Sequence, residues 1–447
     1  MFTILANRTY RHLLSAQIIA LVGTGLATVA LGLLAYDLAG GNAGAVLGTA
    51  LAIKMVAYIG VAPVVGAFAD RLPRRAFLVA MDMVRAAVAL SLPFVDQIWQ
   101  IYVLIFVLQS ASAAFTPTFQ ATIPDVLPDE SDYTRALSLS RLAYDMESLA
   151  SPILAAALLS VISFHWLFAG TSIGFICSAL FVVSVVLPRS PAKPQAGGIW
   201  TKTTRGLRIY LKTPRLKGLL ALSLASAAAS SMVIVNTVVI VRGGLGFGQS
   251  EVALTLAAYG SGSMLAAFFI PRMLDKVSDR ALMTSAAALL TAGLATMAVL
   301  TALFGKSTAY WPLLLTGWFI LGIAYSISVT PSGRLLRRSA NVEDRPAVFA
   351  AQFALSHGCW LITYPLAGQI GAGIGQIAAF AVLALVAGIG TVSALWIWPL
   401  HDPELLAHDH DDLPPGHEHL LEDHAQGKSA SHAFVIDDIH PNWPRIV

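Results

Sequence analysis

GAFADRLPRR, residues 66–75, lies between two long apolar runs and packs four charges into its last six positions. A short polar turn between two such runs is the pattern of a hairpin that crosses a bilayer twice. About 20 helical residues span roughly 30 Å of hydrocarbon. Arg71, Arg74 and Arg75 would hold this turn on the cytoplasmic side. The same pattern continues along the chain. Hydrophobic types make up 56% of the 447 residues and charged types 12%, whereas a soluble chain carries about 25% charged residues. The alternating ten-residue segments of a membrane β-barrel are absent. The first apolar run is long enough to be a span itself, so no cleavable secretory signal is expected. Cys177 and Cys359 both fall inside apolar runs and read as small buried hydrophobes.

Twelve spans are expected, at 13–36, 44–69, 76–95, 99–122, 136–161, 164–187, 216–241, 250–273, 281–303, 308–332, 346–370 and 376–399. The connections alternate in charge. Of the 28 Lys and Arg residues, 23 fall on one side, Arg242 and Lys306 fall on the other, and Lys54, Arg85 and Arg141 lie within spans. The basic side is cytoplasmic, which places both termini in the cytosol. The expected layout is a six-span bundle over 1–187, a cytoplasmic linker over 188–215, a second six-span bundle over 216–399 and a polar tail over 400–447. PRSPAKPQAGG (188–198) has the composition of a flexible connection. WTKTTRGLRIYLK (200–212) sets Lys202, Arg205, Arg208 and Lys212 at helical spacing, with Trp200, Leu207 and Leu211 on another face. It reads as a helix lying on the anionic inner leaflet, with membrane lipid as its partner.

Six spans on each side of a linker suggest an internal repeat. ADRLPRRAFL (69–78) is echoed by LDKVSDRALM (274–283), FTP (115–117) by VTP (329–331), and the proline of SP (151–152) by that of YP (364–365). The offsets cluster between 205 and 214 residues. Two such halves imply a pseudo-two-fold axis along the membrane normal, with a substrate path between them. The spacing G-x-x-x-D-R-x-x-R-R, formed by Gly66, Asp70, Arg71, Arg74 and Arg75, resembles the signature loop of the major facilitator superfamily. Pro73 stands where that signature usually has glycine. The resemblance implies an all-α fold of two pseudo-symmetric six-helix bundles and transport by alternating access. It also implies that Asp70 and the arginines act as a conformational latch.

Ionisable groups inside spans are costly and mark function. Asp82 and Arg85 are three residues apart, and Arg141 and Asp145 four, so each couple can pair along one helix face. Lys54 and Glu147 have no such local partner. Glu147 shares a face with Ser140, Tyr144 and Ser151. Counting about 1.5 Å per residue puts Lys54 roughly 15 Å and Glu147 roughly 16 Å into their spans, near the midplane. His357 lies at similar depth in span eleven. In the superfamily resembled, spans two, five, eight and eleven flank the cavity. Lys54, Glu147 and His357 are therefore expected to meet there, with Glu147 carrying a coupling proton and His357 serving as neutral ligand or proton site.

Residues 400–447 hold eight of the eleven histidines and ten carboxylates, but only Lys428 and Arg445 as bases. His401, His408, His410, His417, His419 and His424 crowd its first half. The segment has too few apolar residues to fold alone and is expected to be disordered without a ligand. Imidazole with carboxylate suits Ni²⁺, Co²⁺, Zn²⁺ and Cu²⁺. The spacing does not match a closed structural zinc site. A twelve-span facilitator with such a tail resembles the bacterial nickel-resistance exporters of the NreB type. The stretch FTPTFQATIPDVLPDESDYTRALSLSRLAYD (115–145) also resembles that group and its siderophore-exporting relatives. The resemblance implies proton-driven Ni²⁺ efflux across the inner membrane, with the tail buffering, sensing or delivering metal. The alternative is export of an organic molecule such as a siderophore, a metal chelate or a drug, with an incidental tail. No P-loop, nucleophile elbow or zinc-protease motif is present, so an enzyme is not expected. Neither a cofactor nor a nucleic-acid partner is expected.

Overall fold

The fold was derived from a computed structural model that describes residues 2–68, 73–187, 199–341, 343–400, 402, 406–409, 429–432, 434–437 and 439–444. The apolar runs form helices α1 (Arg8–Ala39), α2 (Ala43–Phe68), α3 (Arg74–Ser91), α4 (Ile98–Val126), α5 (Glu130–Leu159) and α6 (Phe164–Val183). The linker helix α7 (Ile199–Lys212) follows. The second half holds α8 (Pro214–Val238), α9 (Gln249–Leu274), α10 (Asp279–Phe304), α11 (Tyr310–Val329), the short α12 (Ser332–Arg338), α13 (Arg345–Gly373) and α14 (Gln376–Ile397). Among the described residues, nine stretches are long and apolar enough to cross a membrane, and one of them, Arg8–Ala62, contains α1 and most of α2. The long helices outside those nine are α5 and α13, which carry Glu147 and His357.

The sequence supplies the helix boundaries. The Asn7 side chain accepts from the Tyr10 backbone N–H at 3.1 Å and starts α1. Ser278 does the same for α10 through Ala281, at 3.3 Å. Each satisfies an end-of-helix donor that lipid could not. Gly375, at φ 118°, makes the turn between α13 and α14, a conformation that glycine adopts without strain. Several hydroxyls inside the bundle are satisfied by their own helix: Thr24, Thr28, Ser112 and Thr122 each donate to the carbonyl four residues back.

The two halves use the same packing plan. In the first, α1 packs on α6, α3 on α6 and α4, and α2 on α4; in the second, α8 packs on α14, α10 on α14 and α11, and α9 on α11. The halves meet along α2 with α13 and α5 with α9, two symmetric seams. At the first seam Gly44 and Gly48 face Gly368 and the Tyr364 carbonyl so closely that a Cβ at any of the three glycines would strike the other helix or Asn236. Small residues permit this approach, and dispersion across the seam holds it. These ends of α2 and α13 lie on the side with few Lys and Arg residues, which the charge pattern predicts to be the outer one.

Two expectations for the cytoplasmic side are revised. α7 does more than lie on lipid: its Arg205 grips Asp344 at 2.6 and 3.1 Å, the buried Tyr210 donates to Gln352, and Gly206 sits against the Ala347 carbonyl. Its Leu207 and Leu211 remain exposed, on the face expected for membrane contact. Within the tail, expected to be disordered without a ligand, the described residues make defined contacts. Strands β1 (Leu406–Asp409) and β2 (Ser429–His432) pair antiparallel, with His408 opposite Ala430. Beyond them Phe434 and Ile436 are buried in the core of the second half. Arg215 donates to the Phe434 carbonyl at 3.3 Å and its guanidinium lies 5.1 Å from the Trp443 ring centroid. Lys212 donates to Pro441 and Asn442 at 2.7 and 2.8 Å. Composition averaged over 48 residues hid this anchor, because FVI (434–436) and Trp443 are the apolar minority of a polar segment.

Burial alone would raise the Asp437 carboxyl, yet the His440 imidazole and the backbone N–H groups of His440 and Ile439 hold it down to about 2. Its pairing therefore supports docking above the ordinary carboxylate range and is lost as pH falls toward about 2. Phe434→Ala should free the segment. Limited proteolysis between residues 429 and 444 is expected to accelerate about tenfold or more, since losing a buried phenyl costs several kcal/mol. An unchanged cleavage rate would mean that the anchor does not hold the tail.

Candidate functional site

The midplane groups converge from three helices. α2 supplies Lys54 and Tyr58, α5 supplies Glu147 and Ser151, and α13 supplies Phe353, His357 and Tyr364. Lys54 lies within electrostatic reach of both Glu147 and His357, and Tyr364 within reach of Glu147. Both Lys54 and Glu147 sit deep in the protein while keeping some accessible surface, as side chains lining an internal cavity do. Neither makes a hydrogen bond or contact ion pair among the described residues. The Lys54 ammonium lies 5.9 Å from the Tyr58 ring centroid, a cation–π geometry. It also lines a narrow cleft with Thr24, Thr28, Leu51 and Gln109. Gln109 Oε1 and Ser151 Oγ are buried without a hydrogen-bond partner among the described residues.

Glu147 owes its position to a glycine. A Cβ at Gly25 of α1 would come within 2.9 Å of Glu147 Oε1 and would overlap Ser151. With hydrogen at that position, the carboxylate can lie against the α1 backbone. His357 is held by its own helix and by stacking. Its Nδ1 lies 2.7 Å from the Phe353 carbonyl oxygen. A carbonyl only accepts, so Nδ1 carries the hydrogen of the neutral ring and Nε2 keeps the lone pair. The ring stacks on Tyr58 at 5.5 Å and 19°, and lies 3.9 Å from the Phe353 ring. Tyr58 belongs to the first half and His357 to the second, so this stack spans the two halves.

The other charges inside spans go elsewhere. Asp82 and Arg85 pair with each other, as their spacing allows, but away from Lys54 and Glu147. Ser178 donates to Asp82 at 2.8 Å, and the Arg85 guanidinium is sandwiched between Phe115 and Phe175 at 4.3 and 4.5 Å. Both side chains are sealed among α3, α4 and α6, with 0% and 5% exposure, the surroundings of a pair held for packing. Arg141 and Asp145 lie on α5, and their side chains fall outside the described residues. In the signature loop Gly66 is the third-last residue of α2, Asp70 and Arg71 lie outside the described residues, Arg74 pairs with Asp125 at the end of α4, and Arg75 donates to the Val183 carbonyl. The second half has a counterpart with its charges exchanged: Asp279, 205 residues after Arg74, meets Arg334 at 3.4 Å. The 205-residue offset could have flagged Asp279; nothing local marks Asp125 or Arg334. Of the tail histidines, His408 lies in β1, while His401, His410, His417, His419 and His424 lie outside the described residues. Among the described residues no group of three or more His, Cys, Asp or Glu could hold a metal ion.

The Major Facilitator Superfamily family profile matches residues 13–298 and 219–430. The chain belongs to the major facilitator superfamily. It is 27% identical over 299 residues to the uncharacterized MFS-type transporter YfiS of Bacillus subtilis, covering 65% of this chain and 69% of that protein. It is 24% identical over 153 residues to macrolide efflux protein A of Streptococcus pyogenes, covering 32% of this chain and 38% of that protein. The fold superposes on that of a D-xylose–proton symporter with TM-score 0.63 at 14% identity, covering 90% of this chain and 98% of that structure. This facilitator is therefore a membrane transporter.

Proposed function

We propose that the chain is a proton-coupled exporter of the bacterial inner membrane, with both termini cytoplasmic and a divalent transition metal as cargo, nickel first and cobalt or zinc next. The observation that carries the coupling is Glu147, a carboxylate deep in the bundle with no contact ion pair among the described residues, near Lys54, which is in turn near His357 of the other half. A carboxylate of this kind can exchange a proton without breaking a structural contact. In the inward-open state the ionised Glu147 and the Nε2 lone pair of His357 receive the cargo. In the outward-open state a proton from the far side takes the carboxylate and releases it. Asp70, Arg71, Arg74 and Arg75 latch the cytoplasmic end, with Asp125 as the partner of Arg74. The cargo reading rests on the imidazoles and carboxylates of the tail, which would raise the local metal concentration at the inner mouth.

A second reading, export of an organic molecule or a metal chelate, has its own support. Tyr58, Phe353 and His357 offer ring faces beside an ammonium, which suits a flat or anionic solute better than a bare dication. The similarity to macrolide efflux protein A points the same way. Expression in a metal-sensitive host, scoring growth and cell-associated nickel, cobalt and zinc, separates the two. Lower nickel content and higher tolerance are expected. Unchanged content and tolerance for all three metals would remove the metal reading. Replacing 410–428 with a Gly/Ser linker, which keeps both strands and the Phe434 anchor, should weaken export at low metal concentration and leave the rate at high concentration intact.

A further inference from the structure

We propose that Asp37 and Arg242 form an outer latch that breaks and re-forms in every transport cycle. Asp37 lies two residues before the end of α1, in the first half. Arg242 lies in a π-helical turn, Val239–Gly244, that continues α8 in the second half. The Arg242 Nη1 donates to Asp37 Oδ1 at 2.7 Å, and the guanidinium lies 4.7 Å from the Tyr36 ring centroid. Of the ion pairs between described residues, this is the one that joins the two halves.

The surrounding backbone is built for such a contact. A π turn inserts one residue into the helix and rotates the residues beyond it, a feature that concentrates at functional sites. Here it is closed by the Leu245 N–H on the Ile240 carbonyl at 3.1 Å. Gly243 comes directly after Arg242 and rests on Tyr36: a Cβ there would lie 3.4 Å from the ring. Gly246 then takes φ 72°, which turns the chain toward α9. The latch shares its end of the molecule with weaker contacts. Gln249 at the start of α9 donates to the carbonyls of Leu159 and Ile162 at 3.5 and 3.3 Å, and Gly44 and Gly368 touch between α2 and α13. The glycine contacts are apolar and carry no charge. The ion pair supplies a charged contact that is partly hydrated, with 27% and 38% side-chain exposure. Such a pair is weak enough to part and specific enough to set the closed register.

The proposal rests on alternating access and not on the cargo or the coupling ion, so it can fail while the proposed function stands. A single-cysteine reporter tests it. In a Cys177→Ser, Cys359→Ser background, Thr28→Cys places a thiol in the cleft beneath the latch. A membrane-impermeant maleimide added outside cells labels it only when the outer end opens. Asp37→Asn and Arg242→Gln are each expected to raise the labelling rate about fivefold, the shift expected from losing one partly exposed ion pair. The double variant should label no faster than either single one. Exchanging the charges, Asp37→Arg with Arg242→Asp, should bring the rate back toward that of the parent. Singles that label at the parental rate, or an exchanged pair that labels as fast as the singles, would overturn the latch. Thermal unfolding in detergent identifies any variant that is merely misfolded, and Asp37→Glu, which keeps the pair, serves in its place.

Discussion

Glu147→Gln is expected to abolish proton-driven transport and leave the fold intact. Glutamine has the shape of the protonated acid and cannot release a proton. The exporter would then be held in one protonation state, and a pH gradient could do no work through it. Energised everted vesicles should accumulate nickel with the parent and show only the background of protein-free vesicles with the variant. Downhill exchange should weaken as well, because the amide also withdraws a charged ligand from the cargo, and its residual rate should lose the parental pH dependence. The thermal midpoint should scarcely move, since Glu147 makes no hydrogen bond or contact ion pair among the described residues. Uphill accumulation by the variant with the parental pH dependence would defeat the assignment. The fate of Lys54 is set by the same electrostatics: with Glu147 neutral, it loses the nearby charge that offsets its own.

Asp82→Ala should have the opposite signature. Asp82 is sealed from solvent and bound to Arg85 and Ser178, while Arg85 lies between two aromatic rings. Removing the carboxylate leaves a guanidinium buried without its counterion, a change that costs about 3–5 kcal/mol. The protein should unfold at a markedly lower temperature in detergent and reach the membrane in lower amount. Whatever fraction folds should transport with unchanged pH dependence. A stable Asp82→Ala variant with altered proton coupling would return this pair to the transport machinery. Together the two substitutions separate a charge kept for function from a charge kept for packing, and a combined Asp82→Ala, Arg85→Leu variant should regain part of the lost stability.

Much of this was legible in the chain because the bilayer simplifies the problem. Apolar length marks each helix, and helix boundaries fall within a few residues of the expected spans in both halves. The i,i+3 spacing of Asp82 and Arg85 is a local relation, fixed once the segment is helical, and the structure shows that pair. The depth of Lys54, Glu147 and His357 also comes from counting along a helix. Which neighbours they face does not, because rotation of one helix about its axis relative to another is set by packing. Gly25 against Glu147 and the glycine seam between α2 and α13 decide it, and no periodicity reports which small residue faces which neighbour.

Long-range pairs were illegible for the same reason. Arg74 with Asp125, Asp279 with Arg334 and Asp37 with Arg242 join positions 51 to 205 residues apart. Each residue alone reads as a charge near the end of a span, with nothing in the sequence around it to name its partner. The docking of residues 434–444 was illegible because average composition hides a few apolar side chains that find a surface to receive them. Arg215, Lys212 and the base of α14 provide that surface.

By itself, then, the sequence determined that this chain is a helical membrane protein of two repeated halves with its basic residues gathered on one side. Hydrocarbon admits no other way of satisfying so long an apolar backbone. The tertiary structure alone decided which charges face one another, which small residues line the seams and where the described part of the tail rests. Those outcomes depend on how helices turn and lean against each other, through contacts between residues far apart in the chain.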